Sequence, residues 1–226
     1  MDAIQRIPGA GWGRLLPALT REPAPAEYSP ALARDRNVDT WLRQRPHRPT
    51  VEGSREELGY RDHFLEPILR ARYGDGEPRT VVELGPGTDT LMRRCLSGES
   101  RYTTLDISQV FLTTQRGLLE EMNLAPGDRA RADTYSLPLK SGSCDVLFAS
   151  CHTALFSGTG EALARAFSEV HRALRPGGEL VLYPLCPERL GPEVLSFLAR
   201  RFEIVHLGAY EPDDPDRHLA ILRKSG

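Results

Sequence analysis

Three acids and a pair of glycines in this chain are spaced as a nucleotide-type site needs them. Val81-Val82-Glu83-Leu84 is a short apolar run that ends in Gly85-Pro86-Gly87, and the segment that follows, Thr90 to Leu96, is amphipathic. This is the pattern of a buried strand, a tight turn and a helix N-terminus. Glycine accepts positive φ there, and its missing Cβ lets a ligand lie against the backbone. Asp106 follows the turn at the spacing of about 20 residues that brings a carboxylate to the end of the neighbouring strand, where it can accept from both hydroxyls of a ribose. Asp133, at the end of a third strand, can accept from an adenine amino group, and the amide of Thr134 can donate to the ring. Pro86 inside the turn, Ile107 beside Asp106 and Ser150 at the end of a fourth strand complete the predicted cofactor-binding set.

The acid at position 83 decides which nucleotide. A dinucleotide fingerprint asks for glycine or alanine where this chain has Thr90, and a pyrophosphate would be repelled by Glu83, two residues before Gly85. An acid in that place suits a ligand with positive charge nearby. S-adenosylmethionine carries a sulfonium and an ammonium and no phosphate.

These residues need a sheet to bring them together, and the chain supplies one. A helix from Arg55 to Tyr73 leads into the first strand. Tyr102 to Leu105 reads as a strand, Ser108 to Met122 as a helix capped by Ser108, Arg129 to Ala132 as a strand and Cys144 to Ala149 as another. Glu161 to Leu174 is a helix stopped by Arg175-Pro176-Gly177-Gly178, followed by a strand over Glu179 to Leu182, a helix over Pro192 to Arg201 and strands over Phe202 to Leu207 and His218 to Arg223. The alternation predicts an α/β fold: a Rossmann-like, seven-stranded, mostly parallel sheet with helices on both faces. Ligands of such sheets bind at the carboxyl ends of the strands, where Glu83, Asp106, Asp133 and Ser150 all fall.

Residues 1–55 differ from residues 56–226. Seven of the 18 prolines lie there, with short apolar patches between them, so the expectation is short helices and loops forming a cap or lid. Trp12 and Trp41 speak against a solvated tail. Arg34, Arg36, Arg43, Arg45 and Arg48 make a local basic cluster that could meet a phosphate or carboxylate, although such a run is more often a solvated face. A formal charge of -2 and a pI near 6.3 give no global attraction to nucleic acid or anionic membrane. No membrane span or signal segment is visible, and the four scattered cysteines suit reduced thiols, so a cytoplasmic protein is expected.

Taken together, Glu83-Leu84-Gly85-Pro86-Gly87, Leu105-Asp106, Ala132-Asp133 with Leu137-Pro138, Cys144-Asp145-Val146-Leu147 and Leu174-Arg175-Pro176-Gly177-Gly178-Glu179-Leu180 resemble the class I S-adenosylmethionine-dependent methyltransferases of the small-molecule kind, over roughly residues 60–226. The resemblance implies a last strand inserted antiparallel, with Gly85 and Gly87 at the methionine portion, Asp106 at the ribose and Asp133 with Thr134 at the adenine. It also implies transfer of a methyl group to an oxygen or nitrogen of a small-molecule acceptor, leaving S-adenosylhomocysteine. Two positions depart from the family: Asp89 stands where a third glycine is common, and Cys144 where an aromatic is common.

A base is needed only where the acceptor is protonated. His152, just past the fourth strand and next to the expected methyl position, is the catalytic candidate; Tyr28, Tyr60, His63 and Cys151 are candidates for substrate or lid contacts. The sequence lacks the Pro-Cys pair of pyrimidine methylation, the Asn/Asp-Pro-Pro-aromatic signature of base amino methylation and the acid cluster of the metal-dependent catechol enzymes, so neither a nucleic-acid partner nor a metal is expected. The rivals are a rearrangement that uses the cofactor as a cationic wall, and a cofactor-binding protein without turnover.

Overall fold

The structure is a computed structural model, and it describes residues 51–150, 155, 160–185, 190, 192–209 and 218–226. Tyr28, the arginine cluster from Arg34 to Arg48, both tryptophans, Cys151, His152 and Cys186 lie outside the described residues, as does the side chain of Tyr60.

Among the described residues twelve elements follow in chain order: α1 (Val51–Tyr73), β1 (Thr80–Leu84), α2 (Leu91–Cys95), β2 (Arg101–Asp106), α3 (Gln109–Glu121), β3 (Asp128–Arg131), β4 (Cys144–Ser150), α4 (Gly160–Ala173), β5 (Leu174–Leu185), α5 (Pro192–Arg201), β6 (Phe202–Ala209) and β7 (His218–Lys224). The strands form one sheet in the order β3-β2-β1-β4-β5-β7-β6, with β7 antiparallel to both of its neighbours. Successive side chains of a strand point to opposite faces, so Val81 and Val82 enter two different cores. One, around Val82, Leu147 and Leu180, is covered by Phe167 of α4 and Leu198 of α5. The other, around Val81, Phe148 and Val181, is covered by Leu69 of α1, Met92 of α2 and Leu119 of α3.

The chain runs outward from β1 to β3 in one direction and then starts again beside β1 with β4. That reversal opens a crevice at the carboxyl ends of β1 and β4. Ser108 caps α3 as its sequence predicts, its Oγ accepting from the Phe111 amide at 3.2 Å. Two boundaries differ from expectation. Helix α1 begins at Val51 rather than Arg55, and the Arg175-Pro176-Gly177-Gly178 stop is folded into β5. Leu174 already pairs with Cys144 and Glu179 with Val146, so the four intervening residues bulge out opposite Asp145. A Cβ on Gly178 would lie 2.9 Å from the Arg175 carbonyl oxygen and 3.1 Å from that of Cys144, which is why glycine is required there. Cys144 is fully buried in the core beside α4.

Far from the crevice, at the start of the regular pairing of β5, Glu179 is almost fully buried and holds three elements together. Arg72 of α1 grips it through Nε at 2.9 Å and through Nη2, the Tyr73 hydroxyl donates to Oε2 at 2.9 Å, and Arg223 of β7 approaches Oε1 at 3.2 Å. Burial alone would raise its pKa; Arg72, Tyr73 and Arg223 outweigh that and hold the carboxyl below its ordinary range. At the C-terminal end of α4, Lys224 Nζ donates to the carbonyls of His171 and Leu174 at 2.8 Å each, capping the negative end of the helix.

Candidate cofactor site

The strand registers set the rim of the crevice. Leu84 pairs with Leu105, so Gly85 stands level with Asp106; Glu83 pairs with Phe148, so Gly85 also stands level with Ser150; and Asp106 pairs with Arg131, two residues short of Asp133. The four strand ends predicted to carry the site therefore share one edge of the sheet. Gly85 and Gly87 take φ of +56° and +55°, the left-handed region that side chains resist, and the Gly85 amide donates to the Leu105 carbonyl at 2.7 Å. A Cβ placed on Gly87 would meet nothing within 4 Å, so the space against this backbone is open. Pro86 is buried, and its carbonyl accepts from the Asp89 amide at 2.8 Å to close the turn.

Asp106 is 7% exposed and braces this turn. Its Oδ2 accepts from the Gly87 amide at 3.4 Å and its Oδ1 from the Ser108 amide at 2.8 Å. The next residue, Ile107, is 37% exposed, the one large exposed hydrophobic side chain among the described residues. An apolar side chain in water beside a carboxylate is an arrangement that a base stacked above its own sugar would cover. Asp133 is exposed on the same rim, its Oδ1 accepting from the Tyr135 amide at 2.9 Å, and Thr134 beside it is half-buried.

Glu83 lies under the turn with no exposure at all and accepts from the Tyr102 hydroxyl. Burial first, and then the negative charge of Glu83, push the Tyr102 phenol well above its ordinary value, so Tyr102 stays protonated and donates. Gln115 of α3 donates to that hydroxyl at 3.3 Å and to the Asp89 carbonyl at 2.7 Å. Asp89 takes an ordinary backbone conformation, so its place in the turn does not depend on the tolerance of aspartate for positive φ; Asn123 is the non-glycine residue that adopts it among those described. Its side chain works instead as a cap, Oδ1 accepting from the Leu91 amide at 2.8 Å, while Thr90 makes no side-chain cap bond.

The residues present fit S-adenosylmethionine. The turn offers open backbone to a ligand, one acid braces the rim and a second lies beneath it, a set that favours a cationic nucleoside and repels a pyrophosphate. His63 is exposed on α1, on the side away from buried Leu65 and Leu69, with its ring edge-on to Phe64. Tyr102, Gln115 and the capping role of Asp89 were missed from sequence. Gln115 carries a signal that could have found it, a polar residue three after Leu112 and four before Leu119 on the buried stripe of a helix.

Residues 82–182 match the family model described as a methyltransferase domain. The chain is 31% identical over 125 residues to the biotin biosynthesis bifunctional protein BioHC of Teredinibacter turnerae, covering 52% of this chain and 21% of that protein. It is 32% identical over 108 residues to a 37.1 kDa protein in a transposon of Streptomyces fradiae, covering 47% of this chain and 30% of that one. The chain thus spans less than a third of the length of these curated relatives. Among solved structures it superposes on the PH0226 protein of Pyrococcus horikoshii OT3 with a TM-score of 0.62 at 16% identity, over 82% of this chain and 99% of that one. A methyltransferase of Methanosarcina mazei gives 0.55 at 18%, over 70% and 97%. The cyclase SpnF gives 0.55 at 18%, over 73% and 80%. No helix among the described residues is long and apolar enough to cross a membrane.

Proposed function

We propose that the chain, whose residues 82–182 match the model of a methyltransferase domain, is a class I S-adenosylmethionine-dependent enzyme that moves a methyl group from S-adenosylmethionine to an oxygen or nitrogen of a small molecule, in the cytoplasm. The observation that carries this reading is Glu83, an acid buried directly beneath a glycine turn whose backbone is otherwise open. When bound, the cofactor supplies an electrophilic methyl group with a neutral thioether as leaving group. The chain then has only to bind, orient and exclude water, and good alignment alone is worth up to about 7–11 kcal/mol. In this reading Gly85 and Gly87 admit the amino-acid arm, Glu83 favours its ammonium, Asp106 accepts from the ribose hydroxyls, Ile107 lies against the adenine, and Asp133 and Thr134 meet its edge. Pro86 and Ser150 close the floor. His152 takes the acceptor's proton where there is one, and residues 1–55, with Tyr28, and Tyr60, His63 and Cys151 around the mouth, cover the acceptor.

Titration calorimetry tests the first half: S-adenosylmethionine and S-adenosylhomocysteine bind and nicotinamide dinucleotides do not, whereas the reverse order of affinities removes the proposal. Mass spectrometry on a panel of hydroxyl and amine acceptors tests the second half through the gain of a methyl group. The shared fold of the cyclase SpnF supports one alternative, a rearrangement beside an unconsumed cofactor. Substrate conversion with the sulfonium intact would establish that alternative in place of transfer.

A further inference from the structure

Gln115 is 2% exposed on the buried stripe of α3, where a leucine would ordinarily stand. A primary amide has two N–H donors, and here each has a fixed target: the Asp89 carbonyl and the Tyr102 hydroxyl. A carbonyl can only accept, so the amide cannot be turned over without setting two oxygens against each other. The Tyr102 oxygen, receiving one proton from Gln115, must send its own elsewhere, and it sends it to Glu83 Oε2. On its far side the Tyr102 ring is held by the Arg93 guanidinium, 5.9 Å from the ring centre, itself tied to the Ala125 carbonyl at 2.8 Å. One side-chain amide therefore fixes the far end of the glycine turn and the orientation of the acid beneath it at once. Packing does not call for this: a phenylalanine and a methionine would fill the same space without burying polar groups.

We infer that Tyr102 and Gln115 are positioning residues that aim Glu83 at the cationic amino-acid arm of the cofactor, and so set the preference for an adenosine bearing that arm over one lacking it. The inference rests on the reading of the site as an S-adenosylmethionine pocket. Its logic is local: Glu83 is the acid beneath the turn, and the Tyr102 hydroxyl holds its Oε2, so loss of that donor removes a bond that sets the direction of the carboxylate. Loss of Gln115 releases both Tyr102 and the Asp89 carbonyl, and the same selective defect follows.

Calorimetry with wild type, Tyr102→Phe and Gln115→Met against S-adenosylhomocysteine and against methylthioadenosine, which lacks the amino-acid arm, separates this role from a structural one. The expected result is a Kd for S-adenosylhomocysteine raised about tenfold or more in both variants, with methylthioadenosine unchanged. Equal weakening of both ligands, which a general loosening of the pocket would give, overturns the inference, and so does no change in either. Circular dichroism melts establish that the variants are folded; should Tyr102→Phe fail to fold, Gln115→Met, close to glutamine in volume, decides alone. Failure of wild type to bind either ligand is a different outcome, since it needs no variant to be seen, and it removes the reading of the site together with the inference.

Discussion

In the proposed site Glu83 and Asp106 meet different parts of one ligand. Asp106 is already bonded to two backbone amides, so under that proposal it serves the ribose while bracing the turn, and replacing it should harm both. Asp106→Ala is expected to weaken S-adenosylhomocysteine binding about 10- to 100-fold, the range for a hydrogen bond to a charged group plus an unbraced loop, as read by calorimetry. Methylthioadenosine should suffer equally, because it keeps the ribose. Glu83→Gln should instead spare methylthioadenosine. His152 answers to kinetics: His152→Ala is expected to lower kcat by about 10²-fold or more while the cofactor Kd stays put. A base works only when deprotonated, so wild-type kcat should fall toward acid pH, and the variant's should lose that dependence.

At the scale of elements, the bond between α1 and the sheet is ionic at one end. Glu179→Gln leaves the Arg72 guanidinium buried against a neutral amide, and breaking such a pair from one side costs about 3–5 kcal/mol. Chemical denaturation should read that loss at neutral pH. The carboxyl's pKa is lowered on folding, so its contribution is fully present above the unfolded value of about 4.3 and is lost as pH falls through the folded value. The gap between wild type and variant should therefore close on the acid side, and a gap that stays constant down to strongly acid pH would contradict this account. The network could not be read from sequence, because Arg72 and Glu179 are separated by 107 positions and nothing in either neighbourhood names the other. The Arg175-Pro176-Gly177-Gly178 bulge escaped for a similar reason: proline and glycine announce that a helix stops, yet only the partner strand decides that Leu174 already belongs to the sheet.

For the molecule as a whole, what the sequence makes legible is whatever local chemistry forces. The buried apolar runs became the central strands, glycines at Gly85 and Gly87 took the backbone angles that only they take cheaply, and the acids Glu83, Asp106 and Asp133, at or just beyond the ends of β1, β2 and β3, arrived at one rim because these parallel strands all end on the same side. Tyr102 stayed hidden because a tyrosine in a strand looks like any other core residue until its hydroxyl meets Glu83 across the sheet. The two cores on either side of the sheet carry the stability. Phe167, fully buried between α4 and the sheet, should cost about 3–5 kcal/mol when cut to alanine, seen as a lower midpoint in urea. Ligand binding should act in the opposite direction, adding about 2.7 kcal/mol at a hundredfold excess over Kd, a rise in Tm readable by differential scanning fluorimetry.

The place of β7 sets a condition on how this molecule can be made. Strand β6 is synthesised first, yet its bonds in the sheet run to β7, which wedges between it and β5. While the ribosome still holds His218 to Lys224, β6 has no strand to lie against and β5 shows an open flank of apolar residues. A nascent chain at that stage is exposed to wrong pairing with its neighbours, and a stop codon ahead of His218 would make that interval permanent, yielding aggregate where the longer product yields a sheet.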